Sequence, residues 1–250
     1  MTRTNELYLL GLGVEPVEHA TLEVLQAAGR CDVLFCEGLD ESQRAFLARF
    51  ARKGRVEVLA GSEDSRAKAV GAALAADRTA ALVTPGHPYH WSGLAGKLVA
   101  LAEKKGIAWR TFGAVSPMGL ALSISGVTLG TNVHGMQSFD CRALAEKKAA
   151  INLAWPLVVY FYDAVDEKTY AAALKRLTAE YGADHPALWC SADGAKEASR
   201  VGALGAAFKS LRASRVLFLE RKIESKSRTG RTDFNPRKRD DKKAPSWVKQ

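Results

Sequence analysis

The chain has 250 residues, of which 47% are hydrophobic and 25% are charged, which is ordinary for a globular protein of one large domain or two small ones. No apolar run approaches the roughly 20 residues that a membrane-spanning helix needs, so we do not expect a membrane protein. The N-terminus lacks the charged, apolar and small-residue segments of a secretion signal, and we therefore expect a cytoplasmic protein.

The formal net charge of +9 is concentrated at the C-terminus. Residues 221–250 hold 11 Lys or Arg and 4 Asp or Glu, a net of +7, whereas the first 220 residues hold 25 and 23, a net of +2. Apolar periodicity also ends near Ile223, so we predict a basic, disordered tail over residues 223–250. Such a tail can attract acidic partners, but the nearly neutral body argues against a nucleic-acid-binding protein.

Strands and helices are predicted to alternate through the first 150 residues. Short apolar runs predict five strands, at Leu7–Leu12, Asp32–Cys36, Arg55–Leu59, Ala80–Thr84 and Ile107–Phe112. Helical spacing predicts five helices, at Thr21–Ala28, Asp40–Phe50, Asp64–Ala76, Trp91–Lys105 and Pro117–Ser125. This alternation is typical of a mostly parallel sheet with helices on its faces.

A second α/β unit is predicted to begin after a connection between Ala143 and Leu157. Its predicted strands are Leu157–Tyr162, Ala187–Cys190 and Arg215–Leu219, and its predicted helices are Lys168–Tyr181 and Val201–Leu211. The predicted fold class is therefore α/β, with an N-terminal subdomain at 1–150, a C-terminal subdomain at 151–222 and the basic tail after it.

Residues suited to ligand binding follow three of the predicted strands, and ligands of open α/β sheets bind beyond the carboxyl ends of the strands. Gly11 and Gly13 follow the first strand, where glycine either makes a tight turn or lets the backbone approach a ligand. Pro16 stands where a GxGxxG dinucleotide motif needs its third glycine, so that motif is not matched. Ser116 follows the fifth strand, where it can cap a helix whose free amides suit a carboxylate.

The loop at 85–91, PGHPYHW, follows the fourth predicted strand directly. Its aromatic faces suit a flat or cationic ligand, and local packing in a tight turn is the alternative. His87 and His90 lack a third ligand, and the four cysteines form no CxxC pair. No metal site is therefore predicted, and the cysteines are expected to be reduced and buried.

Five segments, in this order, resemble the tetrapyrrole-methylase superfamily: LYLLGLGV, ATLEVLQAAGRCDVLF, ALVTPGHPYHWSG, FGAVSPMGLALSISGV and LVVYFYDAV. Together they span roughly residues 7–220. His87 stands where the superfamily has the Asp of a G-D-P loop, and Gly113 and Ala114 stand where it has a Pro-Gly pair. The resemblance implies an S-adenosylmethionine-dependent methyltransferase with two α/β subdomains, of a kind that typically forms homodimers.

The resemblance also implies that S-adenosylmethionine binds in a folded shape in the cleft between the subdomains. Gly11 and Gly13 would form the glycine loop beside it. The residues near its methionine part would be Gly86, His87, Pro88, Tyr89, Val115 and Ser116. The residues lining its adenine side would be Tyr160, Phe161, Trp189 and Cys190.

Among the branches of the superfamily, the sequence looks most like the borosin peptide-backbone N-methyltransferases, on the GHP loop and the segments EHATLEVLQAAGRCDVLF, DESQRAFLARF and HGMQSFD. An amide is a poor nucleophile, so Arg66, Tyr89 and His90 are candidates for polarising its carbonyl or removing its proton. No Tyr occurs at 61–75, where borosin enzymes carry a Tyr and Arg cluster. The polar tail does not resemble a core peptide, so the substrate would be a separate precursor peptide.

Two alternatives stay open at this point. The acceptor is a tetrapyrrole or another small molecule, whose nucleophilic carbon needs less acid–base apparatus, or the protein is a non-catalytic module that binds the cofactor or a partner.

Overall fold

The computed structural model describes residues 5–52, 54–76, 78–90, 92–127, 135–146, 148–161, 165–191, 195–210 and 215–222. The predicted tail at 223–250 lies outside the described residues, as do Trp91, Tyr162 and Leu211 at the ends of three predicted elements. No helix within the described ranges is long and apolar enough to cross a membrane.

The first half of the chain forms a parallel sheet. Its strands are β1 (Glu6–Gly11), β2 (Val33–Cys36), β3 (Arg55–Val58), β4 (Ala80–Thr84) and β5 (Ala108–Phe112). Its helices are α1 (Leu22–Ala28), α2 (Glu41–Ala48), α3 (Glu63–Ala75), α4 (Gly93–Lys105) and α5 (Pro117–Ser125). The strands lie in the order β3-β2-β4-β1-β5, and every neighbouring pair is parallel. The predicted α/β fold is confirmed for this half.

Alternation along the strands explains why helices cover both faces of this sheet. Leu9 and Leu82 pack against α3 and α4, whereas Leu10 and Val83 pack against α1 and α2. Successive side chains of a strand point to opposite faces, so a strand with a continuous apolar run needs a partner on each side.

Side-chain caps fix where the helices begin. In each helix from α1 to α5, the N-cap side chain accepts a hydrogen bond from the backbone N–H three residues later, and these caps are Thr21, Asp40, Ser62, Ser92 and Ser116. Satisfying one of the free amides of the first turn stabilises the helix start. Ser92 and Ser116 thereby start α4 and α5 directly after the loops that follow β4 and β5.

The second half forms a mixed sheet. Its strands are β6 (Gln137–Asp140), β7 (Leu157–Phe161), β8 (Pro186–Cys190), β9 (Lys196–Arg200) and β10 (Arg215–Leu219). Its helices are α6 (Cys141–Ala145), α7 (Glu167–Tyr181) and a 3-10 helix (Val201–Ser210). The strand order is β6-β7-β10-β8-β9, and this sheet starts ahead of the subdomain boundary predicted at residue 150.

The second sheet is mixed, unlike the parallel sheet of the first half. Only β6 and β7 are parallel neighbours, and the other three pairs are antiparallel. Strands β7 and β8 do run in the same direction on either side of α7, but β10 inserts between them and runs antiparallel to both. The prediction missed β6 and β9, because the short polar segments QSFD and KEASR form the sheet edges and carry no apolar run.

Helix α5 joins the two halves. It packs against β8 and β10, and Ala121 on α5 lies in one buried cluster with Val158, Tyr160 and Phe218 of the second sheet. The opposite face of that sheet packs against α7, whose Tyr170 hydroxyl donates to the backbone carbonyl of Leu204 at 2.8 Å. The second sheet is therefore covered on one face by its own helix and on the other by a helix that begins in the first half.

The loops after β1, β4 and β5 converge on Gly11. A Cβ atom on Gly11 would lie 2.4 Å from the backbone oxygen of Gly86 and 2.7 Å from the Cβ of Ala114. Gly13 and Gly86, both with positive φ, then exchange two backbone hydrogen bonds of 3.3 and 2.8 Å. The absence of a side chain at Gly11 is what lets the three loops touch.

This packing predicts opposite effects for two glycine substitutions. Gly11→Ala should lower the free energy of unfolding by about 1–3 kcal/mol, because its methyl group overlaps backbone that must shift. Gly96→Ala should raise it by about 0.5–1 kcal/mol, because Gly96 lies in α4 with no atom within 4 Å of its Cβ position. Urea denaturation measures both, and a Gly11→Ala protein as stable as the wild type would contradict the proposed crowding.

Candidate functional site

A cavity of about 290 Å³ lies where the carboxyl ends of the first sheet meet the second sheet, and we call it the cleft cavity. It is lined by Val14, Glu37, Gly38, Thr84, Pro85, Gly86, His90, Ser92, Pro117, Leu120, Tyr160, Phe161, Cys190 and Val216. This is the edge at which open α/β sheets bind ligands.

The two walls of the cleft cavity differ in chemistry. The wall from the first half carries four polar side chains, those of Glu37, Thr84, His90 and Ser92. The wall from the second half carries the rings of Tyr160 and Phe161. A ligand with a polar end and a flat ring would match both walls, since a few placed polar groups on an apolar lining are what orient ligands in pockets.

Glu37 is fixed in place by two partners. It follows β2 directly, and the Ser92 hydroxyl donates to its Oε2 at 2.8 Å. Arg66 on α3 donates from Nη1 to Oε1 and forms an ion pair with it. The two side chains of this pair are 23% and 20% exposed, so the pair is shielded from water more than a surface salt bridge is. Arg66 does not line the cleft cavity and is linked to it through Glu37.

His90 lies against the aromatic wall, with its ring 5.1 Å from that of Tyr160 in an edge-on arrangement. Burial lowers the pKa of His90, and the nearby His87 lowers it further. Burial raises the pKa of Tyr160, so its hydroxyl keeps its proton at neutral pH. At neutral pH His90 is therefore a neutral base, and Tyr160 is a neutral phenol.

The structure brings some of the predicted site residues together around the cleft cavity. Those that line it are Gly86, His90, Tyr160, Phe161 and Cys190. Burial raises the pKa of the Cys190 thiol to about 11, and all four cysteines are buried and free of disulfides. This group includes residues from both halves of the chain, as a site in the cleft requires.

Other predicted residues support the site from outside the lining. Pro88 packs on Gly11, and Ser116 caps α5 by accepting from the Gly119 amide at 3.1 Å. Gly13 pairs with Gly86 beneath the loop. Each of the three therefore helps to hold the loops that border the cavity.

Three more predicted residues, His87, Tyr89 and Val115, are not among the residues that line the cleft cavity. Tyr89 is 46% exposed, and its hydroxyl lies 3.4 Å from that of Thr111. Its ring is 6.0 Å from that of His87, and Val115 is also exposed. These residues lie on the loops that follow β4 and β5.

Trp189 is the predicted site residue that the structure places elsewhere. It is buried in the core on the α7 face of the second sheet, and its ring packs 5.3 Å from that of Phe161. Side chains alternate along a strand, so the neighbouring Cys190 faces the cleft cavity while Trp189 faces away from it. The prediction that Trp189 lines the adenine side is therefore corrected to a core position.

Sequence reasoning missed the lining residues Glu37, Thr84, Ser92, Leu120 and Val216. Glu37 had a usable signal, because it follows β2 directly and the rule that pointed to the ends of β1 and β5 applies equally there. Thr84 looked like the last residue of an apolar strand. Leu120 and Val216 became lining residues only through the packing of α5 on the second sheet, which local sequence does not encode.

Comparisons with solved structures support the same fold. Uroporphyrin-III-C-methyltransferase from Thermus thermophilus is similar with a TM-score of 0.68 and 18% identity, over 88% of this chain and 93% of that one. A conserved hypothetical protein from Aeropyrum pernix K1 has a TM-score of 0.67 and 18% identity, over 88% and 86%. A diphthine synthase has a TM-score of 0.64 and 15% identity, over 88% and 92%.

No curated protein sequence matches the chain. A family model does: that of the tetrapyrrole (corrin/porphyrin) methylases matches residues 6–207. The match runs from β1 into the 3-10 helix and includes every residue of the cleft cavity except Val216. The resemblance noted in the sequence is confirmed at this level, and the chain belongs to the tetrapyrrole methylase family.

Proposed function

We propose that the protein is an S-adenosylmethionine-dependent methyltransferase that binds its cofactor in the cleft cavity. Membership of the tetrapyrrole methylase family implies this activity. The observation that carries the proposal is the cavity itself, which joins the polar strand ends of a parallel sheet to an aromatic wall from a second sheet.

The residues present fit this cofactor. The Tyr160 and Phe161 rings offer faces for a flat base and for a cationic sulfonium. The buried Thr84 hydroxyl on the opposite wall has no hydrogen-bond partner among the described residues, and a polar ligand group would satisfy it. When bound, the cofactor supplies a methyl group that is activated by its positive sulfur.

The chain contributes positioning and exclusion of water. Pro85 and Gly86, in the loop after β4, line one part of the cavity. Leu120 and Val216 contribute apolar side chains to another part of the lining. An acceptor held close and in line with the methyl group reacts faster because the encounter no longer costs translational freedom. Dry walls also keep water from competing with the acceptor.

For the acceptor, we propose a backbone amide of a separate precursor peptide, in line with the resemblance to the borosin branch. The observation that favours it is the Arg66–Glu37–Ser92 cluster beside the cavity, since a ring carbon that is already nucleophilic has no need of such polar groups. In this proposal Arg66 polarises the amide carbonyl, neutral His90 accepts the amide proton, and the exposed Tyr89 orients the peptide. The homodimer stays a prediction.

The cofactor site is tested by narrowing the cavity. Calorimetric titration of the wild type should show saturable binding of S-adenosylmethionine and of its demethylated product. Leu120→Trp should weaken both by more than about tenfold, because Leu120 lines the cavity and an indole would occupy ligand space. Met118→Trp on the same helix is the control, since Met118 is not among the lining residues. Wild-type protein that is folded but binds neither ligand would exclude the proposed function.

The acceptor is tested through Arg66. Arg66→Ala should leave cofactor affinity nearly unchanged, because Arg66 does not line the cavity, but should lower the methylation rate of a Val/Ile-rich precursor peptide by about 100-fold. Lys68→Ala, an exposed change on α3, is the control and should leave the rate unchanged. Mass spectrometry locates the methyl groups.

Methylation of a tetrapyrrole but not of peptides would favour the ring acceptor, and cofactor binding without turnover of either would favour the non-catalytic module.

The role of His90 predicts a specific pH profile. Burial keeps the pKa of His90 below its ordinary value of about 6.5, so the base is already neutral at pH 7. With saturating cofactor, the peptide methylation rate should be flat above about pH 6.5 and fall only below it, as His90 takes up a proton. His90→Gln should be slow and should lack this acidic limb. An acidic limb that persists in His90→Gln would assign it to another group.

A further inference from the structure

The buried hydroxyl of Thr84 in the cleft cavity has no hydrogen-bond partner in the part of the chain that the structure describes. Thr84 ends β4 and is 4% exposed, and its Oγ1 forms no hydrogen bond with any described residue. Trp189 and Tyr181 also carry a buried polar atom without a partner, but both lie in the core on the α7 face. Thr84 instead lines the cleft cavity. Its hydroxyl is therefore a buried polar group at a place that a ligand can reach.

Among the described residues, the groups next to Thr84 on the neighbouring strands form no hydrogen bond with this hydroxyl. On one side Thr84 pairs with Gly11, which has no side chain to offer. On the other side, the register that pairs Cys36 with Val83 brings Glu37 next to Thr84. The Glu37 carboxylate accepts hydrogen bonds from Arg66 and Ser92 and none from Thr84. The backbone around Thr84 is paired normally, since its carbonyl accepts from the Leu12 amide at 2.9 Å. Only the side chain is left open.

The position of Thr84 indicates which part of a ligand it meets. It shares its wall with Glu37 and Ser92, whereas the rings of Tyr160 and Phe161 form the other wall. An elongated ligand with a flat base at one end and charged groups at the other lowers its free energy by placing the base on the rings and the charged end on the polar wall. The opposite orientation would bury charged groups against aromatic carbon.

We propose that the Thr84 hydroxyl hydrogen-bonds directly to the amino-acid end of the S-adenosylmethionine bound in the cleft cavity. This inference rests on the proposed function and adds a binding residue to it, with the ligand in the orientation that the family resemblance implies. The bond forms only when the ligand is present, so the free protein carries an unpaired buried hydroxyl that it would be more stable without.

Two substitutions separate this role from a structural one. Thr84→Val keeps the shape and removes the hydroxyl, so it should raise the melting temperature by about 2–4 °C and weaken binding of the demethylated cofactor by about tenfold to a hundredfold. Thr84→Ser keeps the hydroxyl and should bind within about threefold of the wild type. A purely structural threonine would give a less stable Thr84→Val protein with unchanged affinity.

The experiment is calorimetric titration of wild type, Thr84→Val and Thr84→Ser with S-adenosylhomocysteine and with 5′-methylthioadenosine, which lacks the amino-acid end. The expected result is a loss for Thr84→Val with the first ligand and none with the second. Equal affinity of wild type and Thr84→Val for S-adenosylhomocysteine would overturn the contact, and an equal loss for both ligands would move it to the nucleoside. A wild type that binds neither ligand would instead remove the proposed function and this inference together.

Discussion

The close approach at Gly11 is the constraint on which the site depends. Three loops leave the carboxyl ends of β1, β4 and β5, and they come into contact because Gly11 offers no atom where the Gly86 carbonyl and the Ala114 methyl group lie. Gly13 and Gly86 then pair through their backbones. This pairing fixes the loop after β4 and, through the loop after β5, the point at which α5 starts. The floor of the cleft cavity is thus set by backbone contacts, and its side chains can vary in chemistry without moving it.

Helix α5 adds side chains to the lining above that floor. It leaves the first sheet at a Ser116 cap and buries Ala121 against the face of the second sheet. A sheet face with Val158, Tyr160 and Phe218 on it needs such cover, because exposed apolar area is unfavourable in water. The Tyr160 ring of the aromatic wall therefore belongs to the sheet face on which α5 packs where the two halves join. The same helix supplies Pro117 and Leu120 to the lining. The packing between the halves therefore also determines the shape of the cavity.

The sequence predicted the first half well and the second half less well, for a physical reason. Strands such as Ala80–Thr84 are buried on both faces, so continuous apolar runs and capped helices between them mark each element. In the second sheet, QSFD and KEASR are short polar edge strands that are held by backbone pairing to a neighbour. Nothing local in those segments reports the neighbour. The same limit applies to Trp189: the end of β8 was found, but which of its last two side chains faces the cavity depends on how the sheet is covered.

The site residues that sequence reasoning found are those on loops with unusual composition, and those it missed lie in ordinary strands. Glu37 accepts hydrogen bonds from Arg66 and Ser92, whereas the neighbouring Thr84 hydroxyl has no hydrogen-bond partner among the described residues. Native proteins pair nearly all buried polar groups, so an open one at the base of a cavity is better explained by what binds there than by the fold. Stability and ligand recognition are in tension at this strand end, because the group that would orient a ligand is also one that the free fold is more stable without.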